Sequence, residues 1–294
     1  MFYKNLSSSA ASDKGGRRDF SAQRSYVSDK RKVSDLPVRR PKESEMIFGM
    51  RAVIEAIDAG KNLQKILLRR DMSSSLSHEL NDKLQEANER GQLLTVVQRV
   101  PVEKLNQLTS KNHQGVIAFL SPVEFYRIED IVQQVFENGE TPLVMVLDSI
   151  TDVRNFGAIA RSCACAGVNA VVVPAHNSVL INGDAVKTSA GALHTLPVCR
   201  VDNLEDTLRY LRDSGLDIAA ATEHAADSYT ATDLTGPLAI VMGSEEKGIS
   251  DKVLALCNKK VKIPMRGTIE SLNVSVAAGI MLFEVLRQRN AVEQ

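Results

Sequence analysis

Short apolar runs separated by amphipathic segments dominate the second half of the 294-residue chain. The runs hold consecutive apolar residues rather than alternating ones, which is typical of strands covered on both faces of a parallel sheet. They are Leu143–Leu147, Ala170–Val173, Ile218–Ala221, Leu238–Val241 and Val261–Ile263. Helical periodicity predicts helices over 156–166, 203–214, 250–257 and 272–290. Residues 140–294 are therefore predicted to form an α/β domain with a parallel sheet, whose ligands bind at the carboxyl ends of the strands.

Residues 46–121 show a second, smaller alternation of helices and strands. Apolar residues at helical spacing begin at Met50 and end before Gly60, a suitable stop for a helix. Strands are predicted at 66–68, 93–97 and 116–120, and a helix at 76–90 that ends at Gly91. This pattern predicts a small α/β module that can fold alone. Pro122 marks its exit, and residues 122–139 are predicted to be a linker with a helix over 127–138.

The first 45 residues differ from the rest in composition. They hold 11 basic and 6 acidic residues, nine serines and almost no aliphatic periodicity, which predicts a disordered tail. Its basic groups either contact phosphates or keep the chain in solution. Net charge is +5 over residues 1–45, +2 over 46–121 and −7 over 122–294, which gives zero for the whole chain. This distribution excludes a protein that coats nucleic acid and favours an enzyme with an attached docking region.

Several other classes are also excluded by the sequence. No apolar run approaches the roughly 20 residues that a membrane helix needs, and the start of the chain lacks the apolar core of a secretory signal. The four cysteines indicate neither a disulfide framework nor a metal site, since only Cys163 and Cys165 are close in sequence. We therefore expect a reduced cytoplasmic protein without a metal.

Chemistry-bearing residues concentrate after three of the predicted strands. The first segment, residues 147–167, has the sequence LDSITDVRNFGAIARSCACAG. Asn155 is placed to cap the helix that starts here, or to contribute to a binding site. Arg161 follows among small and apolar neighbours, about 9 Å from Asn155 along a helix that rises 1.5 Å per residue. Both side chains are therefore expected near the same strand-end crevice.

The second segment, residues 238–250, places the sequence GSEEKG directly after a buried strand. Its two glycines have the spacing of a phosphate loop, but Ile249 stands where that loop requires lysine. A dinucleotide-binding G-x-G-x-x-G pattern is also missing from the chain. The segment is thus either a simple glycine turn or the backbone wall of a ligand pocket, with Glu245 at its tip.

The third segment, residues 261–289, contains a strand that ends at Pro264, a polar loop with Arg266, and a long apolar helix. Ser271 is a suitable N-cap for this helix. The run 274–286 is apolar on nearly all sides, which predicts a helix that is buried in the core or at a subunit interface.

These three segments, in this order, resemble the SpoU/TrmH family of RNA ribose 2′-O-methyltransferases. The matching patterns are N-x-G-A-I-x-R at 155–161, G-S-E-x-x-G at 243–248 and I-P-M…S-L-N-V-S at 263–275, and KTSAGAL at 187–193 resembles a further family segment. Residues 46–121, with FGMRAVIEAI and KNHQGVIAF, resemble the L30e-like RNA-binding domain of family members that methylate a guanosine of 23S ribosomal RNA. One departure is Val153, where many relatives carry proline. This change is expected to loosen the loop before Asn155, but it removes no chemical group.

The resemblance implies a parallel-sheet domain with a deep trefoil knot at its C-terminal end, a rare exception to unknotted connectivity. It also implies a homodimer and binding of S-adenosylmethionine in the knot, largely through backbone and apolar groups. The residues expected to bind this cofactor are Gly243, Ile263, Leu272, Thr222, Met242 and Ser271.

The resemblance further implies that Arg161, Glu245 and Asn273 form the catalytic set, with Asn155 in support. In such a site the ribose 2′-hydroxyl attacks the sulfonium methyl group in a single displacement, so the protein mainly aligns the hydroxyl and helps it to lose a proton. A guanidinium is always protonated in proteins, so we expect Arg161 to orient phosphate and hydroxyl rather than act as the base. The base is unassigned, and Arg161 is expected to complete the site of the partner subunit.

RNA contacts are expected from Arg51, His113, Gln114 and Arg154, with packing between domains as an equal alternative for His113 and Gln114. The expected substrate is a guanosine of 23S ribosomal RNA. Two alternatives are a family member that modifies another ribosomal or transfer RNA ribose, and an RNA-binding assembly factor with an inactive site. The four-residue set Asn155, Arg161, Glu245 and Asn273 argues against the second alternative.

Overall fold

Two β-sheets organise the computed structural model of the protein, which describes residues 46–72, 74–89, 96–268 and 271–292. One sheet has four strands and the other has eight. The predicted basic tail, residues 1–45, lies outside the described residues, as do Gly91 and the start of the strand predicted at 93–97.

The four-stranded sheet is built from the chain between residues 46 and 120. Its elements are β1 (Met46–Phe48), α1 (Met50–Asp58), β2 (Leu63–Arg69), α2 (Ser74–Glu89), β3 (Val96–Val100), α3 (Val102–Leu108) and β4 (Val116–Leu120). The strand order is β1-β4-β2-β3, in which β2 and β3 are parallel and the other pairs are antiparallel. The helix predicted from Met50 ends at Asp58, and Gly60 follows it with the left-handed φ of 65°.

Three features of the small domain differ from the prediction. The strand predicted at 93–97 is observed at Val96–Val100, and neither β1 nor α3 was predicted. The reason is that β3 is an edge strand, on which Gln98 and Arg99 are exposed. An edge strand needs no continuous apolar run, so the apolar pattern marks its position poorly.

The eight-stranded sheet is parallel throughout. Its strands are β5 (Phe125–Tyr126), β6 (Leu143–Leu147), β7 (Ala170–Pro174), β8 (Val198–Val201), β9 (Asp217–Ala221), β10 (Asp227–Ser228), β11 (Leu238–Met242) and β12 (Lys259–Lys262), in the order β10-β12-β9-β11-β6-β7-β8-β5. All pairs are parallel. The expected parallel-sheet α/β class is thereby confirmed, although β8 and the two-residue strands were not predicted.

Helices cover both faces of this sheet. They are α4 (Ile128–Glu137), α5 (Val153–Cys165), α6 (Gly183–Thr188), α7 (Leu204–Asp213), α8 (Asp251–Leu254) and α9 (Val274–Val292). One apolar core joins α5, α6 and α9 to one face, and a second core joins α4, α7 and α8 to the other. Successive strand residues therefore point into different cores, which explains why the strands read as continuous apolar runs.

The C-terminal strand enters the sheet between two strands that precede it. Strand β12 lies between β9 and β10, which follow each other in the chain. The strand that precedes α9 thus lies between two strands that an earlier connection joins, in the region where the family resemblance implies a trefoil knot. This placement aligns the carboxyl ends of β12, β9, β11 and β6, four neighbouring strands, along one edge of the sheet.

Candidate active site

The loops after β6 and β11 are tied together at this edge by Asp148. Its backbone N–H donates to the carbonyl of Met242 at 2.8 Å, and its carboxylate accepts a hydrogen bond from the N–H of Ser250 at 2.8 Å. Asp148 is buried. A buried carboxylate needs such donors, so Asp148 fixes the base of the glycine loop relative to the first segment.

Three of the four predicted catalytic residues meet around one oxygen atom. Glu245 Oε1 accepts hydrogen bonds from Asn155 Nδ2 at 3.0 Å, from Asn273 Nδ2 at 2.6 Å and from the N–H of Val274 at 3.3 Å. Asn273 Nδ2 also lies 3.0 Å from Asn155 Oδ1. Each side chain comes from a different segment, so the cluster exists only in the folded chain.

Asn155 is free to join this cluster because another residue caps its helix. The expectation that Asn155 caps α5 is wrong: Asp152 is the N-cap, and its carboxylate accepts the N–H of Asn155 at 2.7 Å. Asn155 therefore lies in the first turn of α5, with its side chain directed to Glu245.

The cap predicted for the last helix is also wrong. Asn273, not Ser271, precedes α9, and Asn273 Oδ1 accepts the N–H of Ser275 at 3.0 Å. One oxygen of this side chain thus caps the helix while its nitrogen binds Glu245. Capping fixes the rotamer of Asn273, which positions the Glu245 carboxylate in turn.

The glycine loop closes on itself through backbone hydrogen bonds. The N–H of Ser244 donates to the carbonyl of Gly248 at 3.0 Å, and the N–H of Gly248 returns a bond to the carbonyl of Ser244 at 2.8 Å. Gly248 has a left-handed φ of 65°. A Cβ at Gly243 would overlap the backbone of Gly248 and Ile249, so this position admits only glycine.

A cavity of about 320 Å³ opens beside this loop. All six residues predicted to bind the cofactor line it: Gly243, Ile263, Leu272, Thr222, Met242 and Ser271. The walls combine apolar side chains with backbone from the strand ends, as is usual for small-molecule sites. Met265 and Ala277 also line the cavity and were not predicted.

A second, more polar cavity of about 460 Å³ lies on the other side of the cluster. Ser149, Asp152, Asn155, Asn177 and Lys247 are among its lining residues. Glu245, Ser244, Glu246, Lys247 and Val274 line both cavities, so Glu245 stands in the wall between them.

Sequence reasoning missed Ser149 and Asn177 in the second cavity. Both have left-handed backbone conformations, with φ of 61° and 52°. Each follows a strand of the large sheet, by two and three residues, which is the signal that could have identified them. Left-handed residues other than glycine often mark functional loops.

Arg161 is not brought to the cluster. It is exposed on α5 and lines neither cavity. Among the described residues it forms no hydrogen bond or ion pair. The expectation that it shares a crevice with Asn155 in the same chain is therefore wrong, because six residues along a helix rotate its side chain far from that of Asn155.

The residues expected to contact RNA have different environments. Arg51 and Arg154 are exposed on α1 and α5. His113 is buried, and both ring nitrogens are engaged inside the small domain, by the N–H of Gly115 at 3.0 Å and by Asn106 Oδ1 at 2.9 Å. His113 thus supports the loop that presents Gln114, whose φ is 51°, and neither predicted role describes it.

Three of the four cysteines, Cys163, Cys199 and Cys257, are buried, and Cys165 is exposed. All four are free, and burial raises the pKa of the Cys257 thiol to about 11 and that of Cys199 to about 12. Burial raises the pKa of Cys163 further. Within the described ranges, no three His, Cys, Asp or Glu side chains are grouped as metal ligands, and no helix is long and apolar enough to cross a bilayer.

Two family models match the chain. Residues 142–283 match the SpoU rRNA Methylase family, and residues 46–126 match the family described as RNA 2′-O ribose methyltransferase substrate binding. The two matches correspond to the eight-stranded and four-stranded sheets. They contain both cavities and the Glu245 cluster.

Individual relatives extend this similarity over most of the chain. A putative TrmH family tRNA/rRNA methyltransferase of Staphylococcus epidermidis is 37% identical over 252 residues, which cover 86% of this chain and 99% of the relative. The crystal structure of the SpoU methyltransferase AviRb from Streptomyces viridochromogenes with AdoMet is 25% identical, with a TM-score of 0.52 and coverage of 84% and 90%. An AdoMet-bound rRNA methyltransferase from Sinorhizobium meliloti has the same identity and TM-score, with coverage of 82% and 86%.

Proposed function

The chain belongs to the SpoU/TrmH family of RNA ribose 2′-O-methyltransferases, and from this premise we propose that it methylates the 2′-hydroxyl of a guanosine in 23S ribosomal RNA. The observation that carries the proposal is the position of Glu245. It lines both a cavity walled by apolar side chains and backbone and a second, more polar cavity, as a site needs when it transfers a group between two bound molecules.

The first cavity fits S-adenosylmethionine. Gly243 lines this cavity, and Ile263 and Leu272 provide apolar walls for an aromatic ring system. Glu223, Glu245 and Glu246 on its rim suit a cationic donor. When bound, S-adenosylmethionine supplies an electrophilic methyl group on its sulfonium sulfur.

Glu245 positions the acceptor hydroxyl in this proposal. Three donors hold its Oε1, while Oε2 has no partner among the described residues. Oε2 is therefore available to accept a hydrogen bond from a ribose hydroxyl in the second cavity. Asn155 and Asn273 prevent the carboxylate from rotating, so the hydroxyl is aligned before reaction.

Arg161 acts in this proposal on the site of a second subunit. Helix α9 exposes Val276 and Phe283, at 50% and 53%, on a face that also includes Gly279 and Ile280. We call these four residues the α9 stripe. Ser162, next to Arg161, lies against Gly279, so a dimer that covers the α9 stripe also covers the neighbourhood of Arg161. There the guanidinium would orient an RNA phosphate and stabilise developing negative charge.

The chain divides its work among four parts in this proposal. Residues 1–45 form a basic tail, 46–121 bind RNA, 122–139 link the domains, and 140–294 bind the donor and transfer the methyl group. The substrate-binding family match over 46–126 supports the second role. Arg51, Gln114 and Arg154 are the candidate RNA contacts, and we place the reaction in the cytoplasm.

The test of the substrate is a map of ribose methylation. Total RNA from cells with and without the gene is compared, and the purified protein is given unmodified 23S RNA with labelled S-adenosylmethionine. We expect one guanosine of 23S RNA to lose its methyl group in the cells and to regain it in vitro. A site in another ribosomal RNA or in a transfer RNA instead would replace the proposed substrate.

Arg161→Ala tests the site. We expect methyl transfer to be lost while donor binding, measured by titration calorimetry, is kept. Transfer at the wild-type rate would remove Arg161 from the mechanism. Absence of donor binding in the wild-type protein would instead favour an inactive RNA-binding factor.

A further inference from the structure

A third cavity, of about 290 Å³, lies where the small sheet meets the large one. The small domain contributes Gln64, Lys65 and the edge strand β3, and the large domain contributes residues 175–180 and Arg200. We call the first cavity, proposed for S-adenosylmethionine, the donor cavity, and the second, proposed for the ribose, the acceptor cavity. Lys65 and Arg200 line neither of them.

Arg200 is a buried cation, with 7% of the residue exposed. Asp202 is the acidic residue whose charge acts on it, but Arg200 forms no ion pair within 4 Å among the described residues. Nη1 donates to the carbonyl of Gln64 at 2.8 Å, and the guanidinium lies 4.7 Å from the ring centre of Phe125. Nε is buried and has no hydrogen-bond partner in the described structure.

Lys65 adds a second cation to the same cavity. It is half-buried and, in the described part of the chain, has no carboxylate within ion-pair distance. Burial, together with the charges of Lys104 and Arg200, lowers the pKa of its ammonium group. Burial also lowers the pKa of Arg200, to about 10. Two partly or fully desolvated cations in one cavity, of which Arg200 lowers the pKa of Lys65, are unfavourable unless an anion joins them.

Contact between the domains does not explain this arrangement fully. The backbone contact to Gln64 satisfies one donor of Arg200 and could be made by a neutral side chain. Among the described residues, it leaves Nε without a hydrogen-bond partner and the guanidinium without an ion pair within 4 Å. Arginine has a planar set of donors that matches phosphate oxygens, which suits an anion at this position.

The geometry points to a phosphate-binding site at Arg200 and Lys65, occupied by the backbone of the RNA substrate. This inference rests on the proposed function and extends it. Asn177 lines both this cavity and the acceptor cavity beside Glu245, so one strand of RNA can follow a continuous path from one to the other. The site would bind a phosphodiester near the reacting ribose and fix its register, without reading the base.

The experiment measures how RNA affinity depends on salt. Each phosphate contact contributes a factor of about 3 to the loss of affinity between 50 and 200 mM salt. We expect Lys65→Gln and Arg200→Gln each to reduce the salt dependence by about one contact, in filter binding to a generic hairpin RNA. Lys61→Gln, an exposed lysine of the same domain outside the cavity, is the matched control and should bind as the wild type does.

Three outcomes decide the inference. If Arg200→Gln binds S-adenosylmethionine with the affinity of the wild type, the variant is folded. Lys65→Gln repeats the test of RNA binding at a less buried residue. Wild-type salt dependence in both variants would overturn the phosphate site while leaving methylation of 23S RNA intact. Saturation of the wild-type site by micromolar inorganic phosphate alone would overturn its assignment to RNA. Binding to a generic hairpin does not depend on which RNA is methylated. A failure of the protein to methylate 23S RNA would therefore be distinguishable from a failure of the phosphate site.

Discussion

At the scale of single residues, Gly243 connects the fold to the donor cavity. Its missing side chain allows the turn at Gly248 to approach within backbone contact, and the same backbone lines the cavity. We expect Gly243→Ala to force the loop open and weaken S-adenosylmethionine binding by about fivefold to about 150-fold, since overpacking of this kind costs about 1–3 kcal/mol.

Titration calorimetry measures this effect, and Gly236→Ala is the control. A Cβ at Gly236 meets no atom within 4 Å, so this variant should bind the donor normally. Equal affinity in both variants would show that the close approach at Gly243 is not needed for binding.

Val153 allows a prediction about stability. It is the first residue of α5, a position at which proline is favoured because the N–H there has no partner within the helix. The preceding residue, Asp152, has the extended ψ of 122° that a following proline requires. We expect Val153→Pro to raise the free energy of unfolding by about 0.5 kcal/mol, in urea titrations. A decrease would mean that the Val153 side chain contributes more packing than its position suggests.

The two helix caps show what residue types alone could not determine. Both Asn155 and Ser271 are residue types that cap helices; capping was predicted for Ser271 and was one of two roles predicted for Asn155. Asp152 and Asn273 cap the helices instead. Which of several polar residues caps a helix depends on where its first turn packs, and that is set by contacts 90 or more residues away, such as Asn155 with Glu245.

At the scale of elements, most interior strands of the large sheet were predicted, and the edge strands were predicted poorly. The interior strand β8 was missed, because Arg200 interrupts its short apolar run. Strands such as β6 and β11 lie between two layers of helices. Both of their faces are buried, so their residues form an unbroken apolar run in the sequence. Edge strands such as β3 and β10 carry no such requirement. The three catalytic-site segments were found because they follow buried strands, and Ser149 and Asn177 were missed because their signal is a backbone conformation.

Helix α9 provides a pH-dependent contribution to stability. Glu284 is buried, and hydrogen bonds from Arg287 at 2.7 and 2.9 Å, with a further one from Gln288, lower the pKa of its carboxyl group. Gln288 in turn binds the N–H of Leu234 and the carbonyl of Thr232, in the connection between β10 and β11. Glu284 therefore helps, through Gln288, to hold the last helix against the connection between β10 and β11.

Because the pKa of Glu284 is lower in the folded state, its contribution is present above the unfolded pKa and is lost as the pH falls through the folded pKa. We expect Glu284→Gln to lose less stability than the wild type on acidification from neutral pH through this range. Urea unfolding at a series of pH values measures the difference. Glu140→Gln, at an exposed carboxylate, is the matched control and should follow the wild-type curve.

At the scale of the whole molecule, the site of one chain contains Glu245, Asn155 and Asn273 but not Arg161. The α9 stripe leaves an apolar surface next to Arg161, on the helix whose first residues form the site.

The zero net charge of the chain is unevenly distributed. Residues 1–121 have an excess of basic residues, and residues 122–294 have an excess of acidic ones. RNA binding then depends on local cations, such as those at Arg200, rather than on overall charge.

If the α9 stripe forms the dimer interface, Phe283→Asp should produce monomers, because it places a charge in an apolar contact. Light scattering measures the mass. We expect the monomer to lose methyl transfer, since it lacks the partner's Arg161, while it keeps the donor cavity of its own chain. A fully active monomer would contradict both the dimer and the shared site.

Mixed dimers provide the sharper test of the shared site. Arg161→Ala and Glu245→Gln subunits, each inactive alone, are unfolded together and refolded. If Arg161 completes the partner's site, a mixed dimer has one site with an intact Glu245 and an intact Arg161, and the other site lacks both. Half of the dimers are mixed in a random assortment, so we expect about a quarter of wild-type activity. If Arg161 serves its own chain, no site in any dimer is intact, and the mixture should be as inactive as its components.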